Sequence, residues 1–197
     1  MCNIPIPIFF IAILLLLPRT IAHAEQWKIL DTKYSAIYYL DIEDLKAFDK
    51  KIDFHSNPDR FSSYTSDSAG PEPGFKIKLG SKVDALFERV QSILDMRKPL
   101  KTKIKVKIFP NKTLLHDAYF QIYKRKKQVR AWYIFKHNTI YVNARDIFSG
   151  MLAHEIAHGI IDNFLTVKPP RATAEILARY VDKHLHEKDK ERLINRP

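Results

Sequence analysis

His154, Glu155 and His158 stand inside an apolar run, Met151-Leu152-Ala153-His154-Glu155-Ile156-Ala157-His158-Gly159-Ile160-Ile161. Such a run predicts a helix buried in the core. On that helix the two histidines, four residues apart, share one face and lie about 6 Å apart along the axis. Their imidazoles can converge on one metal ion, whose ligands sit at roughly 2 Å. Glu155 is turned by about 100° from His154, which aims it at a metal-bound water rather than at the metal. Two ligands and a general base on one rigid element are the parts of a zinc hydrolase. These polar groups also need a reason to be in a core, because each one left unpaired costs about 1–3 kcal/mol or more.

A catalytic zinc usually takes three protein ligands and keeps a fourth position for water. Asp162 continues the same helical face but lies about 12 Å along the axis from His154, too far to share one small ion. It reads as a helix-end group or as an acceptor behind a histidine. The compact pattern with a third histidine is absent, since Ile161 and Phe164 occupy its glycine and histidine positions. The remaining source is a second helix. After Pro169-Pro170, residues Arg171 to His186 have Ile176, Leu177, Tyr180, Val181 and Leu185 as their apolar positions. Glu175 falls in the first turn, on or beside the apolar side. There a carboxylate is favoured by the helix N-terminus, yet costly to bury unless paired or metal-bound. Glu175 is the predicted third ligand; an ordinary helix-start carboxylate is the alternative. Glu187 and Glu191 belong to a charged tail and are poor rivals.

The elements that must position these residues follow from patterning. Glu25 to Lys33 is predicted as an extended entry, and Tyr34 to Leu40 as the first strand. Asp41 caps a helix carrying Leu45, Phe48 and Ile52. Residues 57–74 turn polar and rich in Ser, Pro and Gly, a flexible internal loop that could cover a cleft. Phe75 to Leu79 is predicted as a short strand, and Ser81-Lys82-Val83-Asp84 as the start of a helix through Leu86, Phe87, Val90 and Leu94. Lys103 to Phe109 is the clearest strand, followed by a helix from Lys112 to Lys124. Val129 to Phe135 and Thr139 to Asn143 form a hairpin across Lys136-His137-Asn138, with His137 at the surface of the turn. The expected fold class is α+β: a small antiparallel or mixed sheet packed on helices, with the His154 helix and a C-terminal glutamate-bearing helix.

The first 24 residues stand apart. Ile4 to Leu17 is almost wholly apolar and leads to Ala22-His23-Ala24, the pattern of a signal peptide with its cleavage site. The run is short for a transmembrane helix and carries Pro5 and Pro7. Cleavage removes Arg19 as the sole charged residue, lowering the formal net charge from +11 to +10. It also removes the only cysteine, Cys2, so any metal in the mature chain is held by His and carboxylate. Residues 25–197 suffice for one domain with a real core. The expected location is exported, periplasmic or extracellular, without stable membrane insertion after cleavage. Lysines at Lys101 to Lys107 alternate with Ile104, Val106 and Ile108, as on a strand with one solvated face, and Lys124-Arg125-Lys126-Lys127 reads as a solvated loop. No nucleic-acid-binding motif accompanies them; attraction to an anionic surface or to acidic substrates suits the charge better.

His154-Glu155-x-x-His158, followed by Glu175-x-x-Ala178-x-Tyr180 after a proline-containing turn, resembles the gluzincin metallopeptidases of the thermolysin-like MA clan. It looks most like the small bacterial branch whose second helix carries E-G-x-A-x-Y, with Ile176 here in place of the glycine. The resemblance spans Tyr34 to His186 in the order of its elements. It implies zinc on His154, His158 and Glu175. Glu155 would be the general base that takes a proton from the attacking water and passes it to the leaving amine. It also implies an extended peptide or protein substrate paired with a sheet edge, for which Thr139 to Asn143 is the expected strand. Tyr180, Tyr133, Tyr141 and Arg179 are available as oxyanion donors without one being singled out, and Asp162 or Asp182 as acceptors behind a histidine. Two other readings remain open on the residues: a metal-stabilised domain that captures peptides without cutting them, and an amide hydrolase acting on cell-wall peptides.

Overall fold

The computed structural model describes residues 26–54 and 71–186. The signal sequence expected over 1–24, residues 57–70 of the expected loop, and Glu187 and Glu191 lie outside the described residues. Among those described, the fold is α+β. Strands β1 (Lys28–Asp31), β2 (Ser35–Tyr39), β3 (Ile104–Phe109), β4 (Ala131–Ile134) and β5 (Thr139–Asn143) form one mixed sheet in the order β1-β2-β3-β5-β4. The outer pairs β1–β2 and β4–β5 are antiparallel; β3 runs parallel to both its neighbours. Helices α1 (Ile42–Lys51), α2 (Pro71–Leu94), α3 (Lys112–Tyr123), α4 (Ser149–Phe164) and α5 (Arg171–His184) complete it. None of the described helices is long and apolar enough to cross a membrane.

Strand alternation divides the core in two. Ile37, Ile104, Val106, Ile108, Ile140 and Val142 project to one face, where they meet Leu45 and Phe48 of α1, Leu79 to Val90 of α2, Leu152 to Ile160 of α4, and Ala178 and Val181 of α5. Phe109, Trp132 and Tyr141 project to the other face, covered at that end by Leu115 and Tyr119 of α3. The predicted cap at Asp41 is present as a full capping box: its side chain accepts from the first turn while Asp44 accepts from the Asp41 backbone.

Three expectations are corrected. The strand expected first is the second, because the extended entry itself pairs as β1, with Ile29 opposite Tyr38. Phe75 to Leu79 is helical rather than a strand, and Ser81 to Asp84 lies inside α2 rather than at its start. The expected loop therefore ends before Pro71. Both prolines of Pro71-Glu72-Pro73-Gly74 sit in the first turn, where a helix has no use for their missing N–H groups. Glu72 and Lys76 add an i,i+4 ion pair at 2.7 Å. Leu79 extends the Val83, Leu86, Phe87 and Val90 stripe, which is what draws the segment onto the core. Asp84 does not cap α2; it accepts from the Thr32 hydroxyl at 2.7 Å and from the backbone of Lys33 and Tyr34, tying α2 to the β1–β2 turn.

Candidate metal centre

Helix α4 is deeply embedded, with Ala153, Ile156, Ala157 and Ile161 fully buried. Its start is held by the Ser149 hydroxyl, which donates to the Asp53 carbonyl at 2.9 Å. Gly159 lets it lie close to the sheet: a Cβ there would come within 2.5 Å of the Ile104 Cδ1 atom. Helix α5 packs along α4, and its end is clamped from α2 by Arg89, which donates to the carbonyls of His184 and Leu185 at 2.9 and 3.0 Å. Two anchored helices thus face one another across the site.

Between them His154, His158 and Glu175 converge. The two histidine Nε2 atoms are 3.3 Å apart, and Glu175 brings Oε1 to 3.7 Å from His154 Nε2 and Oε2 to 3.5 Å from His158 Nε2. A tetrahedral ion with ligands at about 2.0–2.1 Å requires ligand atoms roughly 3.4 Å from one another. The histidine pair meets that length; Glu175 approaches each histidine with a different oxygen, and one donor atom from each residue lies within 4.8 Å of the others, so the three side chains converge on one point. Nitrogen, nitrogen and carboxylate oxygen form a donor set suited to zinc, and three ligands leave one position open. Arg179 donates to Glu175 Oε1 at 3.2 Å and steadies the carboxylate from the next turn of α5.

The protonation states agree with ligation. Burial holds both imidazoles below their ordinary value, against the opposing pull of Glu175, so they are neutral donors near neutral pH. Burial pushes the Glu175 carboxyl up, but His154, the Arg179 bond and His158 together outweigh it and hold the group below its ordinary value. Glu155 behaves oppositely. It is only 9% exposed, and burial, aided by Glu175 and opposed by the Tyr133 backbone N–H, pushes its carboxyl up to about 7. A carboxyl raised toward neutrality by burial is one that can both accept and release a proton near neutral pH.

The Tyr133 N–H belongs to β4, the strand at the sheet's edge among the described residues. Asn143 donates to the Arg130 carbonyl at 3.3 Å. Bonded and non-bonded pairs alternate in an antiparallel ladder, so Trp132 and Ile134 bond to β5 while the N–H and C=O groups of Ala131 and Tyr133 face outward. This corrects the expected edge: Thr139–Asn143 lies between β3 and β4 inside the sheet, and β4 is the strand beside the centre. A cleft of about 430 Å³ runs from Glu155, His158 and Glu175 along β4 to Tyr123 at the end of α3 and Arg125 just after it.

The proposed oxyanion donors fare unevenly. Tyr141 lies on the far face of the sheet beside the exposed His137, 3.4 Å from its Nδ1. The Tyr133 hydroxyl donates to Asn138 Oδ1 at 3.1 Å, Arg179 serves Glu175, and the half-exposed Tyr180 stacks on His184. Ile176, 67% exposed, and Tyr180 both leave the apolar face of α5, which is built on Ala178, Val181 and Leu185 instead. Asp162 is more enclosed than a helix-surface carboxylate, with Lys168 Nζ 4.0 Å away, and stands apart from the three ligands. Asp182 is exposed and approaches α4 so closely that a Cβ at Gly150 would collide with its carboxylate.

Sequence reasoning missed Asn138. In left-handed conformation, φ 47°, it accepts from Tyr133 and from Asn163 of α4, and donates to Thr102 Oγ1 and the Lys103 carbonyl. It thereby fixes β4 against the end of α4. An asparagine closing a hairpin was the available signal, since asparagine tolerates that conformation. Also missed were Lys168 and Arg171, which line the cleft from the α4–α5 connection and the start of α5. No known protein family, curated protein or solved structure matches this chain.

Proposed function

We propose that this chain is an exported zinc metallopeptidase of gluzincin type. The observation that supports it most is the convergence of His154, His158 and Glu175, one donor atom from each lying within 4.8 Å of the others, with the buried Glu155 carboxylate next to the histidines on their own helix. A site built only to hold a metal has no use for Glu155; a hydrolytic site needs such a group.

His154, His158 and Glu175 would hold the ion. When bound, zinc supplies a Lewis acid for the scissile carbonyl and lowers the pKa of its water toward neutrality. Glu155 receives a proton from the attacking water and returns it to the amine as the peptide bond breaks. Burial, which raises this carboxyl, favours its holding the proton between the two transfers. The outward N–H and C=O groups of Ala131 offer an extended substrate two backbone hydrogen bonds, and those of Tyr133 flank the general base. Burial of the histidines keeps them unprotonated and available as ligands.

The test pairs metal content with turnover on residues 25–197. Wild type should bind about one zinc per chain and cleave an unstructured protein such as casein. Glu155→Gln should retain zinc and lose cleavage. Full activity in that variant overturns the mechanism, and a wild type that binds zinc but cuts no peptide favours the capture-domain reading.

A further inference from the structure

The cleft beside the metal centre is charged unevenly. Its three carboxylates, Glu155, Asp162 and Glu175, all come from α4 and α5 around the centre itself. The rest of its wall carries four exposed cations: Arg125 and Lys127 from the segment after α3, and Lys168 and Arg171 from the approach to and start of α5. Lys168 is committed in part to Asp162 at 4.0 Å. Among the described residues Arg125 bonds a neutral group, the Tyr119 hydroxyl at 3.3 Å, and none of Arg125, Lys127 and Arg171 has a carboxylate within 4.0 Å. Cations without counter-ions along a substrate path are a recognition feature, because each attracts a negative group that approaches it. The chain's formal charge of +11 adds long-range attraction of the same sign.

We propose that the cleft selects peptides with acidic side chains a few residues along the chain from the scissile bond, and that Arg125 and Lys127 set this preference. The inference rests on the peptidase reading and names its substrate class. Arg125 and Lys127 are assigned the role because they stand apart from the centre. Arg171, by contrast, lies close enough to His158 to depress its pKa, so its charge acts on a ligand as well as on a substrate. The same part of the wall carries Tyr119 and Tyr123, whose rings are 4.5 Å apart, so the arginine and lysine extend from an apolar floor. On such a floor a carboxylate is less screened than on an open surface.

The experiment uses three internally quenched peptides, identical except for aspartate, alanine or lysine at the positions two to four residues to each side of one cleavable bond. Each exposed ion pair contributes roughly a two- to five-fold factor, so two or three together favour the aspartate peptide over the alanine peptide by about tenfold in kcat/KM at low salt. The lysine peptide should be cut slowest, and high salt should compress the series. In an Arg125→Ala/Lys127→Ala variant with its zinc content intact, the aspartate-to-alanine ratio should fall to about twofold or less. Equal cutting of all three peptides by wild type overturns the preference and leaves the peptidase reading standing. Cutting of none overturns the peptidase reading. The preference is then judged by fluorescence titration of Glu155→Gln with the same peptides: selective binding of the aspartate peptide supports it, and equal binding overturns it.

Discussion

Replacing Glu155 by glutamine should stabilise the metal-free protein, and by an amount that depends on pH. Burial raises the folded-state carboxyl from 4.5 to about 7. Below pH 4.5 the group is protonated whether the chain is folded or not, and it contributes nothing. Between 4.5 and about 7 the unfolded chain releases its proton while the folded chain retains it, so stability falls as pH rises. Above 7 the loss is complete. At 1.36 kcal/mol per tenfold change in proton affinity, it amounts to about 3 kcal/mol. Glutamine has nearly the same shape and no charge to desolvate. The variant should match wild type at pH 4 and exceed it by about 3 kcal/mol at pH 8, or roughly 6–12 °C in Tm for a domain of this size. Urea unfolding in the presence of a chelator at the two pH values measures the difference. A glutamine variant no more stable than wild type at pH 8 would refute the reasoning, because it would mean that the carboxylate is already satisfied by the fold. A stabilised variant that has also lost turnover would identify Glu155 as a group retained for chemistry at the expense of stability.

Three further outcomes can be checked independently. Glu175→Ala should weaken zinc binding by more than about a hundredfold, since even partners behind a ligand contribute 10–100-fold; Arg179→Ala, which only steadies Glu175, should stay within that smaller range, both read by competition with a chromophoric chelator. Asn138→Ala leaves the Tyr133 hydroxyl and Asn163 without their shared acceptor and places a Cβ-bearing residue less tolerant of φ 47° in the turn, so chemical denaturation should show a loss of about 2–3 kcal/mol. Gly159→Ala forces a methyl group against fully buried Ile104, and should cost about 1–3 kcal/mol together with a measurable loss of zinc affinity, because His158 is the adjacent residue.

What could be read from the sequence was what depends on local period. Histidines four apart on an apolar helix have one relative placement, and the structure gives their Nε2 atoms a 3.3 Å separation. Glu175 was legible for a related reason, although it lies just past the first turn of α5 rather than in it as expected: a carboxylate near the start of a helix that packs on the histidine helix can reach very few places. Alternation likewise revealed Lys103 to Phe109 as a strand, since Ile104, Val106 and Ile108 fill one face. The misreadings concern partners rather than periods. Phe75 to Leu79 has strand-like composition, and only its packing against the core shows that Leu79 continues the α2 stripe. Thr139–Asn143 and Ala131–Ile134 are equally plausible edges of a hairpin. The parallel pairing of Thr139–Asn143 with β3 decides between them, and that contact spans more than thirty residues of sequence.

The same non-local pairing explains why the site is arranged as it is. Because β5 is inserted between β3 and β4, the last strand of the sheet has one neighbour among the described residues, and its outward backbone groups lie over α4. Moving β4 away from the edge would remove the donor that faces Glu155 and close the cleft together. Asn138 is therefore the residue through which fold and chemistry are most directly linked: it closes the β4–β5 turn, anchors Tyr133 and bonds to Asn163 at the end of the ligand-bearing helix. Its loss should consequently do more than lower stability. If β4 shifts relative to α4, KM for a peptide should rise while zinc affinity stays near wild type, since His154, His158 and Glu175 are held by α4, α5 and the Arg89 clamp rather than by the turn. A variant that loses zinc in proportion to stability, with KM unchanged, would show that the edge strand is scaffold alone.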